Sequence, residues 1–72
     1  MEELSDEFEF FIFLLEQYAE YKKMTANAVI NEWEKHGIVE KIFDNYWMYH
    51  TEHIGNAFKD IDSLLATGEY AW

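Results

Sequence analysis

One run of the chain, residues 38–50 with the sequence IVEKIFDNYWMYH, constrains the fold more than any other. At about 100° per residue, its large apolar and aromatic side chains fall on one half of a helix, and its charged and amide side chains fall on the other. The apolar half consists of Ile38, Val39, Ile42, Phe43, Tyr46, Trp47, Tyr49 and His50. An ordinary surface helix has a narrower apolar stripe. The run therefore predicts a central helix with neighbours on two sides, in a small all-α domain.

Three further helices follow from the same periodicity and from capping residues. The first extends from an N-cap at Ser5 to about Lys22. The second begins after Thr25, another favourable N-cap. A loop is predicted over TEHIGN at residues 51–56, where Gly and Asn favour a turn. The fourth helix follows this loop and ends at Thr67. The expected architecture is compact, with about four helices around the central helix 38–50.

The charge of the chain limits its partners. Fifteen acidic residues oppose five Lys, with no Arg, and the net charge is −10. This charge repels phosphate, so we expect no direct contact with nucleic acid or membrane, and any partner should be a basic protein. A helix-turn-helix outline around Gly37 does not alter this, because the face that it would expose carries Glu40 and Asp44. Solubility alone is the alternative explanation for the acidity.

Length and terminal sequence indicate where the chain resides. Its 72 residues allow one domain, residues 1–72, without a second core. The N-terminal sequence MEELSDE is acidic where a signal peptide would be basic. The apolar run Phe10–Leu15 is shorter than the ~20 residues that span a bilayer. Together with the absence of Cys, these features lead us to expect a cytoplasmic protein.

Residue patterns typical of catalysis or metal binding are scarce. His50 and His53 are three residues apart, but there is no His-Glu-x-x-His motif, and the predicted loop spoils the helical spacing. There is no Gly-x-Ser-x-Gly motif, no Cys nucleophile and no glycine-rich phosphate loop. We expect no enzyme activity, no metal and no cofactor. The structural interpretation is that Thr51 caps or ends a helix and that His50 is largely buried and hydrogen-bonded.

The first predicted helix presents two distinct faces. Its apolar arc, wider than one neighbouring helix can cover, consists of Phe8, Phe10, Phe11, Ile12, Leu14, Leu15, Tyr18 and Tyr21. Phe13 falls among acidic residues on the opposite face, and Met48 is similarly placed on the central helix. An apolar side chain ringed by charge is typical of a binding surface. The predicted partner-binding residues are Glu9, Phe10, Phe13, Glu16 and Glu20. Three alternatives remain: Phe13 packs under the C-terminal tail, Phe13 is a single exposed apolar residue without a special role, or the uncovered strip forms a homodimer.

Several short motifs carry a resemblance to a known family. They are Trp33, the sequence His36-Gly37-Ile38-Val39, Tyr46, the His50-Thr51 pair and Asp60-Ile61. With these motifs, the segment from about Phe8 to Leu65 resembles a family of short bacterial proteins of one domain, catalogued as a domain of unknown function. The resemblance marks Gly37, Tyr46, His50, Thr51 and Asp60 as a structural motif. It implies no catalytic residues.

The resemblance also implies a biological setting. Members of the family are often encoded beside small ADP-ribosyltransferase-like proteins, in the arrangement of a toxin with its antitoxin or immunity protein. The implied function is therefore a non-enzymatic antitoxin-like or immunity-like protein that binds and inhibits this co-encoded partner. Two alternatives from other classes remain open. One is an acidic mimic of nucleic acid that blocks a DNA-binding protein, and the other is a structural homo-oligomer.

Overall fold

The computed structural model describes residues 5–71, and these residues form five helices joined by short turns. The helices are α1 (Asp6–Lys22), α2 (Ala26–Lys35), α3 (Ile38–Asp44), α4 (Tyr46–Thr51) and α5 (Ile54–Thr67). No strand occurs in this part of the chain. The all-α prediction is confirmed, although the number of helices is one greater than expected.

Side chains and glycines at the helix ends explain most of the boundaries. Ser5 Oγ and Thr25 Oγ1 each accept a hydrogen bond of 3.1 Å from the backbone N–H three residues later. Such caps satisfy donors that have no partner within the helix. Gly37 and Gly68, with φ of +67° and +78°, follow α2 and α5 in the left-handed conformation that glycine adopts readily. These ends agree with the sequence-based boundaries.

The predicted helix over residues 38–50 is interrupted at Asn45. This residue has φ −109° and ψ 23°, and it separates α3 from α4. Its Nδ2 donates hydrogen bonds of 2.9 Å to the Lys41 carbonyl oxygen and to the Tyr70 hydroxyl. An Asn side chain that bonds to nearby backbone competes with helical hydrogen bonding, which accounts for the break.

The break changes which side chains of α4 face the core. Trp47, predicted in the apolar half, is 75% exposed. Met48, predicted among the exposed side chains, is partly buried against the core. The periodicity assumed one continuous helix, which the structure divides at Asn45, whereas Tyr49 of the same turn is buried as predicted. The sequence-based assignments of Trp47 and Met48 are therefore reversed.

The loop predicted over residues 51–56 is shorter than expected. Thr51 is the last residue of α4, and α5 already begins at Ile54, so Gly55 and Asn56 are helical. His53 precedes α5 as its N-cap, with Nδ1 accepting a 3.0 Å hydrogen bond from the Gly55 N–H. The imidazole thus performs the capping role that Ser, Thr, Asp and Asn usually fill, and it allows the helix to include a glycine.

Helix α1 contacts each of the other four helices. The ring pairs that join it to α2, α3, α4 and α5 are Phe11–Trp33, Phe11–Phe43, Phe10–Tyr46 and Tyr18–Phe58, with centroids 5.9, 5.1, 5.7 and 5.5 Å apart. Its wide apolar arc is covered on several sides, as an arc of that width requires. The central place expected for residues 38–50 therefore belongs to α1, and the segment predicted for it is divided into two short helices.

The core centres on Leu14, Trp33 and Ile38, which have no exposed surface. The remaining buried apolar residues are Phe11, Tyr18, Ala19, Val29, Ile42, Tyr49, Ala57, Ile61 and Leu64. The Trp33 Nε1–H has no hydrogen-bond partner among the described residues. Burying this donor is unfavourable, and contact of the indole ring with the rings of Phe11 and Tyr18 offsets the loss.

The C-terminal segment folds back on the helices. Tyr70 packs against the core, and the Ala71 N–H donates a 3.1 Å hydrogen bond to Asp60 Oδ1. Because Asp60 is only 4% exposed, its carboxylate needs hydrogen-bond donors from the protein in place of water, and the Ala71 N–H is one of them. The Ser63 hydroxyl also donates to the Glu69 carbonyl oxygen at 2.8 Å. These bonds fix the segment after α5 against the helix that it follows.

A buried phenol joins α1 to α5. The Tyr18 hydroxyl donates a 2.6 Å hydrogen bond to Asp62 Oδ1, and Lys22 Nζ lies 3.1 Å from the same oxygen. Burial raises the pKa of Tyr18, and the hydrogen bond to Asp62 and its negative charge raise it further. The neutral phenol is therefore the form that the folded state stabilises.

Replacing Leu14 with Ala should lower the free energy of unfolding by about 2–5 kcal/mol, because it leaves a cavity at a fully buried site. Phe13→Ala, one residue away on the exposed face, should change it by no more than about 0.5 kcal/mol. Urea denaturation followed by circular dichroism measures both. Equal losses in the two variants would contradict the observed orientation of α1.

Stability should fall in alkaline solution because of Tyr18. Above about pH 10 the unfolded phenol ionises while the folded one keeps its proton, so the unfolded state gains up to about 1.4 kcal/mol per pH unit. The stabilisation of the folded state by the neutral Tyr18 phenol is complete below pH 10. It is lost as the pH rises toward the higher pKa that Tyr18 has in the folded state. Tyr18→Phe should be less stable at neutral pH but should show a shallower alkaline decline in denaturation experiments. Equal slopes would show that Tyr18 does not contribute.

Candidate protein-interaction surface

The outer face of α1 carries the residues that sequence reasoning assigned to partner binding. Glu9, Phe13, Glu16 and Glu20 are all exposed, and Phe13 is 52% exposed. The described part of the C-terminal tail contacts Asn45, Asp60 and Ser63. Trp72 lies outside the described residues, so the alternative in which the tail covers Phe13 is untested. Phe10 differs from Phe13 in being partly buried. Their role in binding stays a prediction.

Phe10 belongs to an aromatic cluster that α1 forms with α4. We call Phe10, Tyr46, Trp47 and His50 the α1–α4 aromatic cluster. The Tyr46 and His50 rings stack 4.2 Å apart at an interplanar angle of 6°. The edge of Phe10 meets Tyr46 at 5.7 Å, and Trp47 lies 4.8 Å from the His50 ring. Four rings on two helices are thus joined in one continuous set of contacts.

Helical spacing and one hydrogen bond hold this cluster together. Tyr46 and His50 are four residues apart in α4 and therefore lie on the same side of the helix. His50 Nδ1 donates a 2.9 Å hydrogen bond to the Tyr46 carbonyl oxygen, which fixes the imidazole ring over the phenol. Trp47 lies beyond them at the solvent edge. It is the most exposed of the large apolar side chains in residues 5–71.

Negative charge surrounds one side of the aromatic cluster. Asp6 and Glu7 lie one helical turn before Phe10 on α1. Partial burial raises the pKa of Tyr46, and the charges of Asp6 and Glu7 raise it further. The cluster combines exposed ring surface with an acidic border.

The residues expected to form a structural motif have local roles. Gly37 forms the left-handed corner between α2 and α3. The Thr51 hydroxyl donates to the carbonyl oxygens of Trp47 and Met48 at 2.9 and 3.1 Å, at the end of α4. His50 is half-buried, less than expected, and is hydrogen-bonded as described above. Asp60 accepts the Ala71 N–H.

The two histidines considered for metal binding have other contacts. His50 uses Nδ1 to bind the Tyr46 carbonyl oxygen, while His53 uses Nδ1 to cap α5. Within residues 5–71, no group of three His, Cys, Asp or Glu side chains is arranged to hold a metal ion. In this part of the chain, both imidazoles therefore make structural hydrogen bonds through Nδ1.

A second surface feature is a cleft of about 510 Å³ between α1, α2 and α5. Its walls include Met24, Val29, Trp33 and Leu65, and its polar end is the Tyr18–Asp62–Lys22 group. Asp62 already accepts from Tyr18 and pairs with Lys22, and the other carboxylate in the lining, Glu32, pairs with Lys35 and His36. The cleft thus offers mainly apolar contact.

Sequence reasoning missed the exposed part of the aromatic cluster. The periodicity of residues 38–50 placed Trp47 in the buried half, and it assigned Tyr46 and His50 only structural roles. The signal that could have corrected this is Asn45, a residue with low helix propensity in the middle of the run. A break there frees the following turn to present different side chains.

Comparison with known proteins identifies a family but gives no further relatives. None of the helices in residues 5–71 is both long enough and apolar enough to cross a membrane. No curated protein and no solved structure matches the chain. A family model described as a protein of unknown function, DUF3791, matches residues 9–67. Because this match covers most of its length, the chain belongs to the DUF3791 family.

Proposed function

We propose that this protein is a non-enzymatic, antitoxin-like or immunity-like protein that binds and inhibits a co-encoded ADP-ribosyltransferase-like partner. The choice of partner rests on the gene arrangement that the family resemblance implies. The proposal places both proteins in the cytoplasm, consistent with an acidic chain that contains no Cys. The protein would act through its surface, without metal or cofactor.

The observation that supports binding most directly is the exposure of Phe13 on an acidic helix face. The neighbouring Glu9 and Glu16 are four and three residues away on α1, so their carboxylates border the ring. A large ring at the centre of a contact supplies affinity once it is desolvated. Charges at the border steer a basic surface toward it and increase the association rate.

The proposed mechanism of inhibition is steric exclusion of the transferase's substrate. A transferase that uses NAD must neutralise the pyrophosphate with positive groups in its binding pocket. The carboxylates on α1 could pair with those groups and prevent NAD from entering. Enzymatic removal of ADP-ribose would need a deeper site with free catalytic groups. The cleft between α1, α2 and α5 instead has its carboxylates in ion pairs.

The nucleic-acid-mimic alternative fits the charge of the chain but matches the spacing less well. Along α1, Glu9 and Glu16 are separated by about 10 Å, and Glu16 and Glu20 by about 6 Å, at 1.5 Å per residue. Phosphates on one DNA strand repeat about every 3.4 Å along the axis. The acidic face is sparser than the strand it would imitate, and Phe13 has no counterpart in a phosphate chain.

The homo-oligomer alternative must overcome electrostatic repulsion. Each copy carries a net charge of −10, and pairing two α1 faces would bring Glu9, Glu16 and Glu20 of both copies together. Like charges across an interface are unfavourable unless cations or basic side chains separate them. A basic partner removes this repulsion, whereas a second copy increases it.

Phe13→Asp should separate folding from binding. Because Phe13 is exposed, the variant should retain its helical content by circular dichroism. The loss of the ring should weaken the complex with the adjacent gene product by more than about fivefold, measured by calorimetry after co-expression and co-purification. Gln17→Asp is the matched control, since it adds the same charge to the same face and keeps the ring.

Two outcomes would contradict the proposal in different ways. If the wild-type protein does not co-purify with the adjacent gene product, the transferase-like partner is excluded. If the complex forms and Phe13→Asp binds as tightly as Gln17→Asp, the interface lies on another face of the protein.

A further inference from the structure

The α1–α4 aromatic cluster has features that the outer face of α1 lacks. Trp47 is 75% exposed and is supported from behind by the His50 ring, which is stacked on Tyr46. The ring is therefore oriented before any partner arrives. An exposed tryptophan is unfavourable for solubility, and Trp is enriched among the residues that dominate binding energy.

The chain itself shows a lysine paired with aromatic rings elsewhere. Lys22 Nζ lies 5.1 Å from the centroid of the Tyr21 ring and 5.8 Å from that of Tyr18. Within residues 5–71, no lysine lies over the Trp47 ring. Tryptophan has the most favourable ring for a cation–π interaction. Within the described part of the chain, the Trp47 ring is therefore the strongest candidate for binding a cation from another molecule.

The acidic border supplies a second attraction for the same kind of group. Asp6 and Glu7 lie one helical turn before Phe10 on α1, and the edge of the Phe10 ring meets Tyr46 at 5.7 Å. A cation over the cluster would therefore meet ring faces and carboxylates together. Of the two common cationic side chains, the guanidinium group is planar, stacks on aromatic rings and donates to carboxylates in a fixed fork.

We propose that the α1–α4 aromatic cluster is a docking site for an arginine side chain presented by a partner protein, with the guanidinium group against Trp47 and its N–H groups directed to Asp6 and Glu7. This inference takes from the proposed function only the idea that the partner is a protein. It assigns the chemistry of a second contact, on α4, in addition to the contact proposed for Phe13.

A second copy of the chain cannot be the occupant in this form. The sequence contains no Arg, and each copy has a net charge of −10. The guanidinium group must therefore come from a different protein. The same two facts argue against a dimer in which two clusters stack on each other, since the acidic borders would also meet.

The test uses two short peptides of equal length, one with several arginines separated by glycine and serine and one with citrulline at every arginine position. Citrulline keeps the shape of the side chain and removes its charge. At physiological ionic strength, the arginine peptide should shift the Trp47 indole N–H signal in the NMR spectrum, identified by its loss in Trp47→Phe. The citrulline peptide should leave the signal in place.

Three variants define the contribution of the ring. Trp47→Leu keeps an apolar side chain without a π system and should weaken arginine-peptide binding about two- to fivefold. Trp47→Phe should weaken arginine-peptide binding less than Trp47→Leu does, because it keeps an aromatic ring. Tyr21→Leu is the matched control, because it removes an exposed ring whose face is already near Lys22. Its affinity for the peptide should equal that of the wild type, and circular dichroism should show that each variant is folded.

The outcomes separate this inference from the proposed function. Equal shifts with both peptides, or equal affinity of Trp47→Leu and Tyr21→Leu, would overturn the arginine site while leaving the antitoxin-like function intact. Peptide binding at Trp47 without co-purification of the adjacent gene product would support the site and exclude that partner. A dimer that Trp47→Leu dissociates in sedimentation experiments would assign the cluster to self-association and overturn the inference.

Discussion

The structure depends on the packing of several helices around the aromatic arc of α1. Phe11 is the central residue of this arrangement, because its ring stacks on Phe43 and meets the edge of Trp33. These contacts connect α2 and α3 to α1 without any disulfide or metal. A short chain buries a smaller fraction of its surface than a long one, and large rings provide the greatest buried area per residue. Burying the indole N–H of Trp33, which has no partner among the described residues, is unfavourable, and the contacts of the indole ring with Phe11 and Tyr18 offset that cost.

Much of this fold could be predicted from the sequence because the relevant signals are local. Ser5, Thr25, Gly37 and Gly68 set helix ends through hydrogen bonds or dihedral angles that depend on adjacent residues. The break at Asn45 could not be predicted in the same way. Its local signal is only the low helix propensity of Asn45, and the second partner of its side chain, the Tyr70 hydroxyl, lies 25 positions away in the sequence. Periodicity describes one helix at a time and contains no information about such a partner.

In the candidate site too, some exposed residues could be predicted from the pattern of a single helix and others could not. The exposure of Phe13 followed from its position in a regular helix, and the structure places it among the acidic residues as expected. The exposure of Trp47 could not be predicted from helical periodicity, because residues 38–50 were treated as one helix and the structure divides them at Asn45. The net charge of −10 led us to expect a basic protein partner before any geometry was known. The identity of the partner is not encoded in either signal, and it enters through the family resemblance alone.

The bond between Asn45 and Tyr70 has a consequence for how related sequences should diverge. The amide at position 45 donates one hydrogen bond to the Lys41 carbonyl oxygen at the end of α3 and another to the Tyr70 hydroxyl, so it links the helix break to the C-terminal segment. Loss of the Tyr70 hydroxyl removes the acceptor of one Asn45 hydrogen in a partly buried position. Across homologues, sequences without a hydroxyl at position 70 should therefore retain Asn45 less often. Sequences that replace Asn45 with a strong helix former should carry one longer helix in place of α3 and α4.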